Sequence, residues 1–233
     1  PRYSISYFPL PMKFIPLLIV ILCSLLVIPS AKTDPAEDAR NKAAKLKKDG
    51  NWKEAFEAYK DLLMREGNSG KVAAEDLQNA WQSLSRLGQV VLMDDFLESV
   101  VQKHPQDWRV LASAGSLQLR MPQYGYIIGG EFKRGHHRGG GRQVNSLQRD
   151  RARGLALMER AMNAAKDDED KAAIAGLYLE FANAIASNRG RSESWRLQYL
   201  TDFSKLPDWD EGGYHGARDV GAPVDADGKP IFY

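Results

Sequence analysis

Two stretches of this chain, centred on Gly50 and Gly88, repeat one helix-turn-helix register, and that repetition restricts the fold more than anything else in the sequence. Ala43, Leu46, Gly50, Ala55 and Tyr59 stand at small, apolar, glycine, alanine and aromatic positions of a two-helix unit. With Gly88 at the same glycine position, Trp81, Leu84, Met93, Leu97 and Val100 take the matching apolar positions and Pro105 the closing proline. The two glycines are 38 residues apart. A unit of this size cannot bury its apolar face alone, so several must stack into one continuous core.

The pattern is similar to tetratricopeptide repeats, and it predicts an all-α fold of antiparallel helix pairs over residues 34–205. Asp34-Pro35 supplies an N-cap and a first-turn proline for a helix over 36–49. Gly50-Asn51 ends it where a residue of positive φ is wanted, and the partner helix follows over 52–66. A second pair is predicted over 72–86 and 90–103, and a third begins at 108–119 with Trp108, Leu111, Ala112 and Leu119 as its buried stripe. Ala43, Ala55, Trp81 and Met93 are expected to pack inside the array.

The third pair is interrupted. Residues 121–145 hold Gly125, Gly129, Gly130, Gly135, Gly139, Gly140 and Gly141 among Lys133, Arg134, Arg138 and Arg142, so no regular helix passes through them. The partner helix resumes over 147–165. The run Lys166-Asp-Asp-Glu-Asp170 reads as a solvated acidic cap at the N-terminus of a helix over 171–187, and a last amphipathic helix is predicted over 194–203. Residues 206–233 change to Gly, Asp, Pro and aromatics and read as the truncated start of a β-rich region, with a turn at Asp225-Ala-Asp-Gly228.

Residues 12–31 read as an export signal: Lys13, an uncharged run over 14–29, then Pro29-Ser30-Ala31. Retention of residues 14–29 as a membrane anchor is the alternative. Residues 1–11 read as an over-extended start before Met12. The expected location is periplasmic or cell-envelope. Cys23, the single cysteine, lies within the signal, which leaves the remainder without disulfides, cysteine metal clusters or a cysteine nucleophile. Residues 32–233 carry 30 basic and 30 acidic groups, a balance that argues against nucleic acid as a partner.

The segment Tyr124-Gly-Tyr-Ile-Ile-Gly-Gly-Glu-Phe-Lys-Arg-Gly-His-His-Arg-Gly-Gly-Gly-Arg142, then Asn145-Ser-Leu-Gln-Arg-Asp-Arg-Ala-Arg153, taken with Leu206-Pro207-Asp208 and residues 221–233, resembles the N-terminal region of large exported bacterial proteins of the alpha-2-macroglobulin family, of planctomycete type. The resemblance implies an endopeptidase inhibitor whose leading part is a helical-repeat region. It also implies a protease partner engaged by sequence beyond Tyr233. The family's Cys-Gly-Glu-Gln thioester motif and bait region are missing, so no functional residue carries over.

Candidate chemistry is sparse. Glu131, His136 and His137 lack the i, i+4 spacing of helical metal ligands and read as a solvated loop. The glycine- and arginine-rich run lacks the GxxxxGK[ST] spacing of a nucleotide loop. Asp225, Asp227 and Gly228 resemble half of a calcium loop but read as a turn. No serine stands in a G-x-S-x-G elbow. The expectation is a non-catalytic module without cofactor or metal. Its partner would be polypeptide, docked at a loop containing Arg134, His136, His137, Arg138 and Arg142. The alternative to an inhibitor segment is a stand-alone envelope adaptor or assembly factor.

Overall fold

The computed structural model describes residues 34–186, 206 and 209–211. The expected signal over 12–31, helix over 194–203, turn at 225–228 and most of the expected β-rich segment fall outside the described residues. Seven α-helices dominate the described part: α1 (Pro35–Lys48), α2 (Trp52–Met64), α3 (Gly70–Arg86), α4 (Met93–Lys103), α5 (Trp108–Leu119), α6 (Leu147–Ala164) and α7 (Lys171–Ala186). A 3-10 turn, Val90–Leu92, leads into α4. None of the described helices is long and apolar enough to cross a membrane.

The repeated glycines end their helices in the same way. Gly50 has φ 79° and donates to the Lys47 carbonyl at 3.2 Å, while Asn51 donates to Leu46 at 2.9 Å. Gly88 has φ 66° and donates to Ser85 at 3.1 Å, while Gln89 donates to Leu84 at 3.4 Å. This paired bonding back into the last turn satisfies carbonyls that the helix leaves orphaned, and it needs a left-handed residue at the glycine position. At the other end of α1, Asp34 Oδ1 accepts from the Ala36 amide at 3.0 Å, the cap expected from Asp34-Pro35.

Polar bridges join alternate helices. Arg40 of α1 donates to Asp76 of α3 at 2.9 Å and Lys47 donates to Asn79 at 2.6 Å; Gln78 of α3 reaches Ser113 of α5 at 2.7 Å. Between α2 and α4, Phe56 meets Phe96 edge-on with centroids 5.2 Å apart, and His104 donates to the Leu63 carbonyl at 2.7 Å. Beneath these bridges lies one apolar core running from Ala43 to Leu177, with Leu77, Leu111 and Leu117 at 1% exposure or less. Each such leucine stabilises the fold by roughly 1.5–3 kcal/mol through burial. Ala43, Ala55 and Met93 are buried as expected; Trp81 is half-buried and packs against the same core.

Helices α5 and α6 approach backbone to backbone. A Cβ on Gly115 would stand 2.8 Å from the Gly154 carbonyl oxygen, and one on Gly154 would stand 3.0 Å from that of Gly115. One turn before Gly154 in α6, the buried Arg151 donates to the carbonyls of Ala184 and Ile185 at 3.0 and 2.7 Å, holding the last turn of α7. The acidic run before α7 is only partly solvated. Asp170 caps α7 by accepting from Ala173 at 3.0 Å, but Asp168 takes the Trp108 indole at 2.7 Å and the Arg109 guanidinium at 2.8 Å.

The all-α expectation over 34–205 is corrected between α5 and α6. There the chain forms β1 (Tyr124–Ile128), β2 (Glu131–Arg134) and β3 (Arg142–Asn145), a small antiparallel sheet. A two-residue strand β4 (Asp210–Glu211) adds to the edge, giving the order β2-β1-β3-β4. The glycine-rich stretch is not wholly loop: Gly129 and Gly130, with φ 59° and 89°, form the two-residue turn joining paired strands.

Candidate functional site

The insertion is organised by Arg134. Strand alternation sets it on the sheet face shared with its cross-strand neighbour Gly125 and, beyond that, Val144, and all three are buried. That face packs inward, and the Arg134 side chain is 1% exposed. One edge of its guanidinium, Nε and Nη2, donates to both oxygens of Asp94 at 2.7 Å. The other, Nη1 and Nη2, donates to both oxygens of Asp150 at 2.8 Å. Nη1 also reaches the Pro122 carbonyl at 2.6 Å and the Ser146 hydroxyl at 3.1 Å.

The two carboxylate partners come from two helices. Asp94 lies in the first turn of α4 and Asp150 in the first turn of α6, where negative charge is favoured by the helix dipole. Asp150 is completed by Ser146 Oγ and Gln118 Nε2, each donating at 2.7 Å. Arg134 therefore joins β2 to α4 and α6, and Asp150 extends the cluster to Gln118 of α5. Burial disfavours the guanidinium charge, but the carboxylates of Asp94 and Asp150 outweigh it and hold Arg134 above its ordinary value. Arginine is protonated throughout the physiological range, so the cluster is a fixed ionic joint. The Ser146 hydroxyl, 1% exposed and committed to Asp150, is held inside that joint.

Of the residues expected to form the docking loop, Arg134 is turned inward, while His136, His137, Arg138 and Arg142 are exposed. The histidines lie against tyrosines of β1: the Tyr124 and His136 centroids are 5.3 Å apart, those of Tyr126 and His137 6.0 Å. Tyr124 and Tyr126 share the face opposite Arg134 by alternation. Glu131 pairs with Lys133 at 2.8 Å, and the hydrogen bond and charge of Lys133 hold its carboxyl below the usual range. Among the described residues no three His, Cys, Asp or Glu side chains gather to hold a metal.

Two further features adjoin the sheet. On the face shared with Arg134, Phe132 stacks on Trp209 at 4.4 Å and 27°, and the Arg149 guanidinium lies 4.3 Å from the Trp209 ring centroid. An open groove of about 540 Å³ lies between α4, which offers Asp95, Leu97 and Glu98, and α6, which offers Arg153 and Arg160, with Leu206 also lining it. Sequence reasoning reached the exposed basic positions. It missed Asp94, Asp150, Gln118 and Trp209, whose roles depend on contacts from 16 to 40 residues away for Arg134 alone. The alternation Tyr124, Tyr126, Ile128 ahead of Gly129-Gly130 was the local signal for a hairpin. Comparisons with protein-family models, with curated proteins and with solved structures find no match for this chain.

Proposed function

We propose that this chain is a non-catalytic, exported protein-interaction module: a tetratricopeptide-like helical array that presents a sheet-borne basic surface to a polypeptide partner. The observation that carries the reading is the seating of Arg134. Its double carboxylate clamp fixes the insertion to α4 and α6 while His136, His137, Arg138 and Arg142 stay exposed. A preorganised, exposed surface on a rigid support loses little conformational entropy on binding. The matching helix ends at Gly50 and Gly88 and the bridges linking α1, α3 and α5 support the repeat-like part. Export follows from the reading of residues 12–31. A place at the front of a macroglobulin-like endopeptidase inhibitor is the form of this function that the sequence resemblance implies.

Site-specific photocrosslinking in the source cell tests the reading. A crosslinking residue at Arg138 is expected to give a discrete polypeptide adduct that weakens several-fold when Arg142→Ala is added. The same residue at the exposed Glu75 of α3 is expected to give none. Equal labelling from both positions, or no polypeptide adduct from Arg138, contradicts it.

A further inference from the structure

Leu206 and residues 209–211 meet the body by contacts of three kinds. Leu206, 38% exposed, lines the α4/α6 groove. Trp209 fills a slot whose walls are the Phe132 ring on β2 and the Arg149 guanidinium on α6. The backbone of Asp210 and Glu211 pairs antiparallel with Asn145 and Val144 on β3. Contact with both an aromatic ring and a guanidinium suits tryptophan, whose π face is the strongest partner for such a cation. A strand edge beside such a slot is how extended peptides are recognised: the ladder supplies affinity and the side-chain slot supplies selectivity.

Among the described residues the ladder to β3 holds two residues, and Trp209 is half-buried. A segment held this way opens locally at much lower cost than the helical core.

We propose that the Phe132/Arg149 slot and the adjoining β3 edge form a recognition site for an extended, tryptophan-bearing polypeptide segment, with Trp209–Glu211 as its intramolecular occupant. A partner's segment binds by displacing this tail. Phe132 lies on the sheet face opposite Tyr126, so the site is separate from the surface formed by His136 and His137 and holds or fails independently of it.

The test uses the full-length chain and a fluorescent hexapeptide of residues 206–211, Leu-Pro-Asp-Trp-Asp-Glu, followed by anisotropy. The Trp209→Ala chain, its slot empty, is expected to bind the peptide saturably. Wild type should bind it at least about tenfold more weakly, because a tail closed nine-tenths of the time leaves the site competent for the remaining tenth. Phe132→Ala in the Trp209→Ala background, or alanine for tryptophan in the peptide, should abolish binding. Trp209→Phe, which keeps a stacked ring, should bind about threefold more tightly than wild type, and this pair carries the test if Trp209→Ala does not fold. No saturable binding to a folded Trp209→Ala chain, or affinities for wild type and the variants that do not differ, overturns the proposal.

Discussion

Where α5 crosses α6, two glycines bring the backbones together; where the sheet meets the same region, one guanidinium stands between two carboxylates. The two joints differ in how they fail. An apolar crossing tolerates small losses of area but not added volume, because the meeting atoms are backbone and cannot turn aside. An ionic joint tolerates neither loss nor partial replacement, since removing one member strands buried charge on the others. Thus the array is specified by shape over many residues, and the insertion by the chemistry of one.

The largest effect expected is at the ionic joint. Arg134→Met leaves Asp94 and Asp150 facing each other without their cation and should cost about 3–5 kcal/mol, read by urea unfolding. Replacing both aspartates by leucine in the same chain should recover part of that loss, because no buried charge is then left. A cost below about 1 kcal/mol for Arg134→Met would erase the distinction between the two joints.

At the crossing, Gly115→Val sets a branched side chain against the Gly154 carbonyl and Met158 and should cost about 1–3 kcal/mol in thermal or urea unfolding. If it is neutral, the close approach of α5 and α6 is not required by the fold.

A smaller, pH-dependent effect belongs to Asp168. Hydrogen bonds from Arg109 and Trp108 hold its carboxyl well below the ordinary aspartate value of 3.8. A folded value below the unfolded one gives stability that is present above the unfolded value and lost as pH falls through the depressed folded value. Asp168→Asn should therefore be less stable than wild type at pH 7, and the difference should close as pH falls below about 4. A difference unchanged down to acid would mean that the ionic part of this contact contributes nothing. The smallest effect is at the exposed Arg138: Arg138→Ala should leave stability within about 0.5 kcal/mol while reducing partner crosslinking.

The same contrast explains what was legible in the sequence. Helix positions follow from a period of apolar residues and from local stop signals, so α1 to α7 begin and end near the residues expected, and Gly50 and Gly88 adopt the positive φ their positions called for. The burial of Ala43, Ala55 and Met93 follows from the same period. The insertion is set by distant pairings. Nothing near Arg134 in sequence distinguishes it from Arg138, yet one is enclosed by Asp94 and Asp150 and the other is exposed. Trp209 likewise finds Phe132 and Arg149 far away along the chain. Glycine content suggested a loop because it was weighed against helix; the alternation of Tyr124, Tyr126 and Ile128 fitted a strand.

The most direct test of the Arg134 seat is amide hydrogen exchange on wild type and Arg134→Met, compared between the sheet and the core helices. The account predicts that amides of Tyr126, Lys133 and Val144 lose protection in the variant by 10-fold or more, on the order expected for loss of a buried ionic joint, while those around Leu77 and Leu111 change much less. Unchanged protection in the sheet, or an equal loss in sheet and helices, would contradict it.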